Sequence, residues 1–289
     1  MCIRDSYESS SEDLAVVMAQ RSSSLLELLI GRLLRDNVRY LEIDTGTEAI
    51  VTAIRNRTPA LVKPGNRFIE HLREVKDSEE IGLIKMSGEI TRRSMKAAIE
   101  SIGFGVTESE IARQAQIEMI RQGADREGFE TVVGSGPRSS FAHARPTERK
   151  IGEGDLVVMD LGSMYRGYRT DMTRTIAFGK AEERMEAMLK AVSESQRAAL
   201  SKIVAGANIA ESVLASEEVL VRYGFREGIL HGLGHGVGLD IHEEPSLVSN
   251  SEAKLKENAV VTVEPGIYFR NAGGARREDT VIVTKDGYV

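Results

Sequence analysis

Four acidic residues stand where an apolar strand starts or stops. Asp160 closes LVVMD, Asp171 opens DMTRTIAF, Glu264 follows VVTV and precedes Pro265, and Glu278 stands just before DTVIV. Acids in such places are more buried than ordinary surface acids, and a buried carboxylate needs a partner. Gly162, Gly167 and the polar run around Tyr165 and Arg166 suit a hairpin. A turn centred near 165–166 would set Asp160 opposite Asp171, with Cβ atoms about 4.5–5.5 Å apart. Two ionised carboxylates that close repel each other unless a proton or a cation lies between them.

A fifth donor comes from HGLGHGVGLDIHEEP, residues 231–245. It holds His231, His235 and His242, three of the chain's five histidines, threaded through Gly232, Gly234, Gly236 and Gly238. Two Asp, two Glu and one imidazole suit two adjacent divalent cations. Hard oxygen ligands with one nitrogen fit Mn²⁺, Co²⁺, Fe²⁺ or Zn²⁺. The glycines are expected to bring the backbone close to the cations and to adopt conformations closed to other residues.

The elements that must position these groups read as follows. A helix is expected over about 20–36, a strand over 39–44 and another helix over 46–57, with Pro59 and Pro64 interrupting. So few elements bury little surface, and this unit should lean on the rest of the chain or on a second copy. From Lys76 a long helical pattern carries Ile81, Ile84, Ser87/Gly88 and Thr91/Met95 on one face. A second long helix covers about 181–204. Each is followed by a shorter helix, with Thr107 and Glu110 or Asn208 and Glu211 at capping-box positions and Gly123 or Gly224 at the stop. Gly105, Thr107, Glu110 and Gly123 recur as Gly206, Asn208, Glu211 and Gly224 at one offset of 101 residues, which predicts an internal duplication. Strands follow each helix pair, giving an α+β fold with helices on one side of largely antiparallel sheet.

With 289 residues, 41% hydrophobic and 28% charged, the chain is of globular composition and holds one large domain or two ordinary ones. A net charge of −6 argues against nucleic acid as the main partner. The single cysteine, Cys2, allows no intrachain disulfide, so a reducing, cytoplasmic location is expected. The N-terminus carries no signal-peptide core, and no run reaches membrane-spanning length.

The segments LREVKDSEEI, FETVVGSGPRSSFAHARP, VVMDLGSMYRGYRTDMTRT, HGLGHGVGLDIHE, TVEPGIY and GGARREDTV together resemble the pita-bread metallopeptidases. Within them they resemble the proline-specific branch of Xaa-Pro aminopeptidases and Xaa-Pro dipeptidases. The resemblance covers about residues 70–289. It implies a pita-bread catalytic domain with internal pseudo-twofold duplication over 75–289, after a short or truncated creatinase-like α/β domain over 1–74. It implies metal ligands at Asp160, Asp171, His235, Glu264 and Glu278, with Asp171 and Glu278 bridging two divalent ions, Mn²⁺ foremost. Glu264 would also move a proton, His143, His231 and His242 would donate hydrogen bonds to the substrate or the oxyanion, and Arg276 matches the branch's arginine. His71 is left as an ordinary surface residue.

The expected activity is hydrolysis between an N-terminal residue and proline in small peptides, by a homodimer. Methionine aminopeptidase shares the fold and the ligands but as a rule lacks a histidine at the place of His231. Creatinase-like amidinohydrolases and non-catalytic pita-bread modules lack the full ligand set. Departures from the pattern are Arg277, where an apolar residue is usual, Ala275, where a larger apolar one is common, the short N-terminal unit, and MCIRDS, which matches nothing.

Overall fold

The structure, a computed structural model, describes residues 25–43, 48–64 and 68–289. MCIRDS, Cys2 and the expected helical residues 20–24 lie outside them. The chain divides into two compact units, 1–69 and 70–289. Among the described residues no helix is long and apolar enough to cross a membrane.

The first unit is a small α/β layer. Helix α1 (Leu25–Arg35) and helix α2 (Glu48–Arg57) alternate with strands β1 (Tyr40–Ile43) and β2 (Leu61–Pro64), which pair in parallel from Tyr40↔Leu61. The amphipathic pattern of LLELLIGRLLR buries Ile30 and Leu33 against Ile54, Ala60 and Val62. Helix α3 (Phe68–Glu74) carries the chain across the boundary at 69/70, with His71 exposed on it.

The second unit opens on helix α4 (Ser78–Glu100). Asp77 caps it by accepting from the amides of Glu79 and Glu80, while the Asp77 amide donates back to the Glu80 carboxylate at 2.8 Å. Such a cap contributes about 1 kcal/mol. The expected stripe is buried at Ile84, Ser87, Thr91 and Met95. Helix α5 (Glu108–Arg121) starts at the expected Thr107–Glu110 box. Short strands β3 (Arg126–Glu127) and β4 (Val132–Ser135) lead to β5 (Leu156–Leu161), β6 (Ser163–Tyr165), β7 (Tyr168–Arg169) and β8 (Met172–Ala177).

The second half repeats the plan. Helices α6 (Glu183–Leu200) and α7 (Ile209–Arg222) precede β9 (Gly234–Gly236), β10 (Glu243–Leu247), β11 (Val260–Val263), β12 (Gly266–Phe269), β13 (Gly273–Arg276), β14 (Asp279–Thr284) and β15 (Gly287–Tyr288). All ladders in this unit are antiparallel, in the orders β4-β5-β8, β3-β6-β7, β10-β9-β11-β14-β15 and β12-β13.

The duplication is visible in the backbone. Gly105 and Gly206 both turn through left-handed conformations, φ 80° and 87°, and their amides donate to Ile151 O and Leu255 O. Gly123 and Gly224 end the short helices at φ 92° and 80°. Isolated bridges tie Thr107 to Lys150 and Asn208 to Lys254. One detail differs from expectation. Asn208 accepts from the Ala210 amide at 2.9 Å and forms no reciprocal box with Glu211.

Candidate metal centre

Strands β5, β8, β9, β11 and β14 deliver the five expected donors to one place. Asp160 lies inside β5, Asp171 stands one residue before β8, His235 is the middle residue of β9, Glu264 follows β11 and Glu278 precedes β14. The expected direct pairing of the two aspartates is corrected. Asp160 sits opposite Thr173, and Leu161 opposite Met172. The reason is the turn. Residues 163–169 fold as their own small hairpin with Tyr165↔Tyr168 paired around Arg166 and Gly167, both at positive φ (48° and 88°). A two-residue turn of that kind matches the strand twist. It moves the register by two residues, which keeps both aspartates on one sheet face as diagonal neighbours.

Asp160, Asp171 and Glu278 are buried, at 6%, 7% and 1% exposure, with one oxygen of each carboxylate lacking any hydrogen-bond partner: Asp160 Oδ1, Asp171 Oδ1 and Glu278 Oε1. Ligand atoms of Asp171, His235 and Glu278 lie within 4.8 Å of one another. His235 Nε2 is 3.3 Å from Glu264 Oε1 and 3.8 Å from Asp171 Oδ2. His235 Nδ1 lies 3.0 Å from Gly236 O. A carbonyl only accepts, so Nδ1 carries the proton and Nε2 is the ring nitrogen aimed at the acids.

Burial first, then the neighbouring Glu278 and Asp160 carboxylates, push the Asp171 carboxyl well above its ordinary value. Burial, then Glu264 and Asp160, do the same to Glu278. Glu264 goes the other way. Burial raises it, but the hydrogen bond with His235 and the Arg276 charge outweigh burial and hold it low. Orphaned buried oxygens beside an imidazole whose Nε2 turns to the same point are the donor set of a divalent cation once that nitrogen gives up its proton, and these residues fit one.

The partnered oxygens explain how the donors are held. Arg276 is 2% exposed and donates to Asp160 Oδ2 (2.6 Å), Thr173 Oγ1 (2.9 Å), Tyr268 OH (2.7 Å) and Ala142 O (3.1 Å). Thr173 Oγ1 donates to Glu278 Oε2 at 2.6 Å. Thr262 Oγ1 accepts from the His235 amide and donates to Glu264 Oε1 at 3.3 Å. Thr280 Oγ1 donates to Asp171 O and accepts from its amide. Asp160 and Glu278 are thereby each fixed through one oxygen while the other stays free, and Asp171 is held through its backbone, which is how ligands are oriented in metal sites.

His231 is placed differently from the expected substrate donor. Its Nδ1 lies 2.8 Å from Gly232 O and its Nε2 lies 3.0 Å from Tyr268 OH. Burial keeps its ring neutral, and burial pushes the Tyr268 phenol up to about 12. The bonds therefore run in one direction, from Arg276 to Tyr268, from Tyr268 to His231, and from His231 to Gly232 O. His143 and His242 are exposed on the cleft, with the His242 ring 4.3 Å from that of His235. Tyr268, Thr173 and Thr262 are missed by the sequence reading, although each lies inside a quoted segment. Hydroxyls next to buried acids carry no spacing signal of their own.

The glycines have another use than the expected one. None of Gly232, Gly234, Gly236 and Gly238 adopts positive φ. A Cβ on Gly234 would meet Thr262 O at 2.1 Å, and one on Gly236 would meet Glu244 O at 2.1 Å. They admit β9 tightly between β10 and β11 and so bring His235 to the acids. The two departures from the pattern are accommodated. Arg277 donates to Gln196 Oε1 at 2.9 Å, and Ala275 is fully buried against α6 and β12.

A cleft of about 670 Å³ opens onto the donors. His143, His242 and Arg276 line it with Phe129, Leu230 and Ile241. Acids, imidazoles and an apolar wall in one cleft are the parts of a metal-dependent hydrolase.

Residues 82–285 match the model of metallopeptidase family M24. The chain belongs to that family and has its pita-bread fold. The family implies divalent metal ions, in agreement with the donor set above. The chain is 40% identical over 219 residues to the Xaa-Pro dipeptidase of Pyrococcus furiosus, across 76% of this chain and 63% of that protein. It thus spans less than two thirds of that relative's length. Among solved structures it resembles an Xaa-Pro dipeptidase from Bacillus anthracis, with TM-score 0.89 and 32% identity over 93% of this chain and 77% of that one. It also resembles the X-Pro aminopeptidase of Thermotoga maritima, with TM-score 0.84 and 28% identity over 93% of this chain and 78% of that one.

Proposed function

We propose that this chain hydrolyses the peptide bond between an N-terminal residue and proline in small peptides, as a metal-dependent exopeptidase. The observation that carries the reading is the convergence of three unpartnered carboxylate oxygens and one imidazole nitrogen beside the cleft. The names of the relatives supply the proline preference. Asp160, Asp171, His235, Glu264 and Glu278 would hold two divalent ions, Mn²⁺ foremost, with Co²⁺, Fe²⁺ or Zn²⁺ allowed by the same donors. Bound there, the ions supply Lewis acidity toward a water and the scissile carbonyl.

The chain's own residues do the rest. Glu264, held ionised, accepts a proton and passes it to the leaving proline nitrogen. His143 and His242 offer ring N–H donors to the substrate carbonyl. Arg276 holds Asp160 aimed, and through Tyr268 it fixes His231 as a neutral wall of the cleft. Phe129, Leu230 and Ile241 shed water from the bound peptide. A homodimer belongs to this reading, supported by Leu25, Leu34 and Leu61 of the first unit, each more than half exposed at 57%, 51% and 58%. So does the cytoplasm, because the single cysteine permits no disulfide within the chain.

The test is release of proline from Ala-Pro and of alanine from Ala-Pro-Ala with Mn²⁺ added. The reading expects at least one of the two to be cut, with the activity lost in a double Asp171→Asn, Glu278→Gln variant. Cleavage of methionine-initiated peptides alone would overturn it.

A further inference from the structure

One buried acid of the second unit belongs neither to the metal donors nor to the cleft wall. Glu108 opens α5 and is 0% exposed. Its Oε1 accepts from the amide and the hydroxyl of Ser135, at 2.8 and 2.7 Å. Its Oε2 accepts from the amide and the hydroxyl of Thr147, at 3.0 and 2.7 Å. Arg138 Nε spans both oxygens, at 3.3 and 3.1 Å. Ser135 is the last residue of β4. One carboxylate therefore grips both ends of the loop over residues 136–146.

That loop carries His143 into the cleft. The backbone around His143 is fixed on each side. Ala142 O accepts from Arg276, Ala144 O accepts from the Val133 amide, and Arg145 O accepts from Arg138 Nη2 at 2.7 Å. The Arg138 guanidinium thus connects Glu108 to a carbonyl two residues beyond His143. The duplication supplies a control. Ile209 stands 101 residues after Glu108, the same offset that relates Gly105 to Gly206. The Glu108 amide donates to Arg149 O and the Ile209 amide to Ala253 O, so the two backbones correspond. Ile209 is fully buried in one core cluster with Leu233, Leu247 and Leu255. The fold accepts an apolar residue at this place, whereas a buried carboxylate costs free energy unless hydrogen bonds offset it. The acid is therefore required by the loop it holds and not by the helix it opens.

We propose that Glu108 is a positioning residue, which clamps both ends of loop 136–146 and so sets where His143 meets the substrate carbonyl. The inference rests on the reading of His143 as a substrate donor given above. A donor to a developing oxyanion acts only when held at hydrogen-bond distance from it. His143 is exposed and sits on a loop, so its place is set by the loop's anchors. Both anchors share one carboxylate, and neither end shifts without disturbing the other. A glutamine in place of Glu108 has an acceptor oxygen for one end only. Its NH₂ would face the amide and hydroxyl donors of the other end.

The experiment is a double-mutant cycle of Glu108→Gln with His143→Ala on the metal-loaded full chain. It uses whichever of Ala-Pro, Ala-Pro-Ala or a methionine-initiated peptide the unaltered chain cuts. Glu108→Gln is expected to lower kcat by about ten- to a hundredfold, with KM changed much less. The double variant should be no slower than His143→Ala alone, because the first change acts through the second residue. Amide hydrogen exchange, which needs no turnover, should accelerate over residues 136–146 and stay as it was at β11. If Glu108→Gln does not fold, Ser135→Ala and Thr147→Val carry the same cycle. Each deletes one hydroxyl and leaves the carboxylate, so the losses should be smaller and in the same direction. Losses that multiply in the cycle, a kcat unchanged by Glu108→Gln, or unchanged exchange over 136–146 would overturn the proposal. So would a loss in Glu108→Gln when His143→Ala costs nothing. Because the cycle follows the peptide that is cut, the proline-directed reading can fail while the role of Glu108 stands, and the reverse.

Discussion

Arg276 is the residue on which the acid cluster depends. It is nearly inaccessible, and its four contacts reach β5, β8, β12 and the loop before β5. Removing one partner of a buried pair leaves the other as an uncompensated charge. Arg276→Met is therefore expected to destabilise the metal-loaded protein by about 3–5 kcal/mol in urea unfolding. Arg276→Lys keeps the charge but lacks the planar fork, and should recover only part of that. An Arg276→Met chain as stable as the original would show that Asp160 finds another partner.

The same cluster sets a pH dependence for protein stripped of metal with a chelator. Asp171 and Glu278 have folded-state values well above their ordinary 3.8 and 4.5. The folded chain thus binds more protons than the unfolded chain once the pH exceeds about 4, so stability must fall as pH rises through that window. The melting temperature in chelator should drop from pH 5 toward pH 8, and saturating Mn²⁺ should reverse the drop. Glu278→Gln removes one buried like charge, so it should melt higher than the original in chelator yet gain less from Mn²⁺. A melting temperature that rises with pH in chelator contradicts the buried-acid account.

At the scale of elements, the acids and the ligand histidine were legible because each stands at or in a short apolar strand, where burial demands a reason. The long helices were legible from their stripes, and the duplication from four positions at one offset. Register was not. The hairpin turn depends on Arg166 accepting a left-handed conformation that its residue type does not advertise, and it moves Asp160 from Asp171 to Thr173. The glycines of 232–238 were legible as important but not for their actual reason, since close approach of a neighbouring strand depends on tertiary packing.

The two kinds of glycine make separate predictions. Gly105→Ala and Gly206→Ala meet no atom within 4 Å but force an L residue to φ near 80–87°. Each should cost about 1 kcal/mol, and similarly, because the two turns are copies. Gly236→Ala puts its Cβ 2.1 Å from Glu244 O, a backbone atom that cannot swing away. It should be the more damaging change and should also weaken Mn²⁺ binding through the neighbouring His235. Melting temperatures and metal calorimetry of the three variants provide the comparison, and a mild Gly236→Ala would mean that β10 moves freely.

For the whole molecule, the centre draws strands from both halves of the duplication. Asp160 and Asp171 come from the first, and His235, Glu264 and Glu278 from the second. Metal binding therefore joins the halves, and its free energy adds to folding. Free Mn²⁺ at about a thousand times its dissociation constant should add about 4 kcal/mol. Unfolding in chelator should show a loss of that size across the second unit, measured by hydrogen exchange at β5 and β11 together. Loss confined to one half would separate the two in function.

The central claim is that five residues hold two divalent ions that make the chain a proline-directed peptidase. The most direct measurement titrates chelator-treated protein with Mn²⁺ while following alanine release from Ala-Pro and Ala-Pro-Ala. The account predicts that release rises with bound metal, levels near two equivalents per chain, and is absent in the Asp171→Asn, Glu278→Gln variant. Two equivalents bound by a folded chain with no release from either peptide would contradict it.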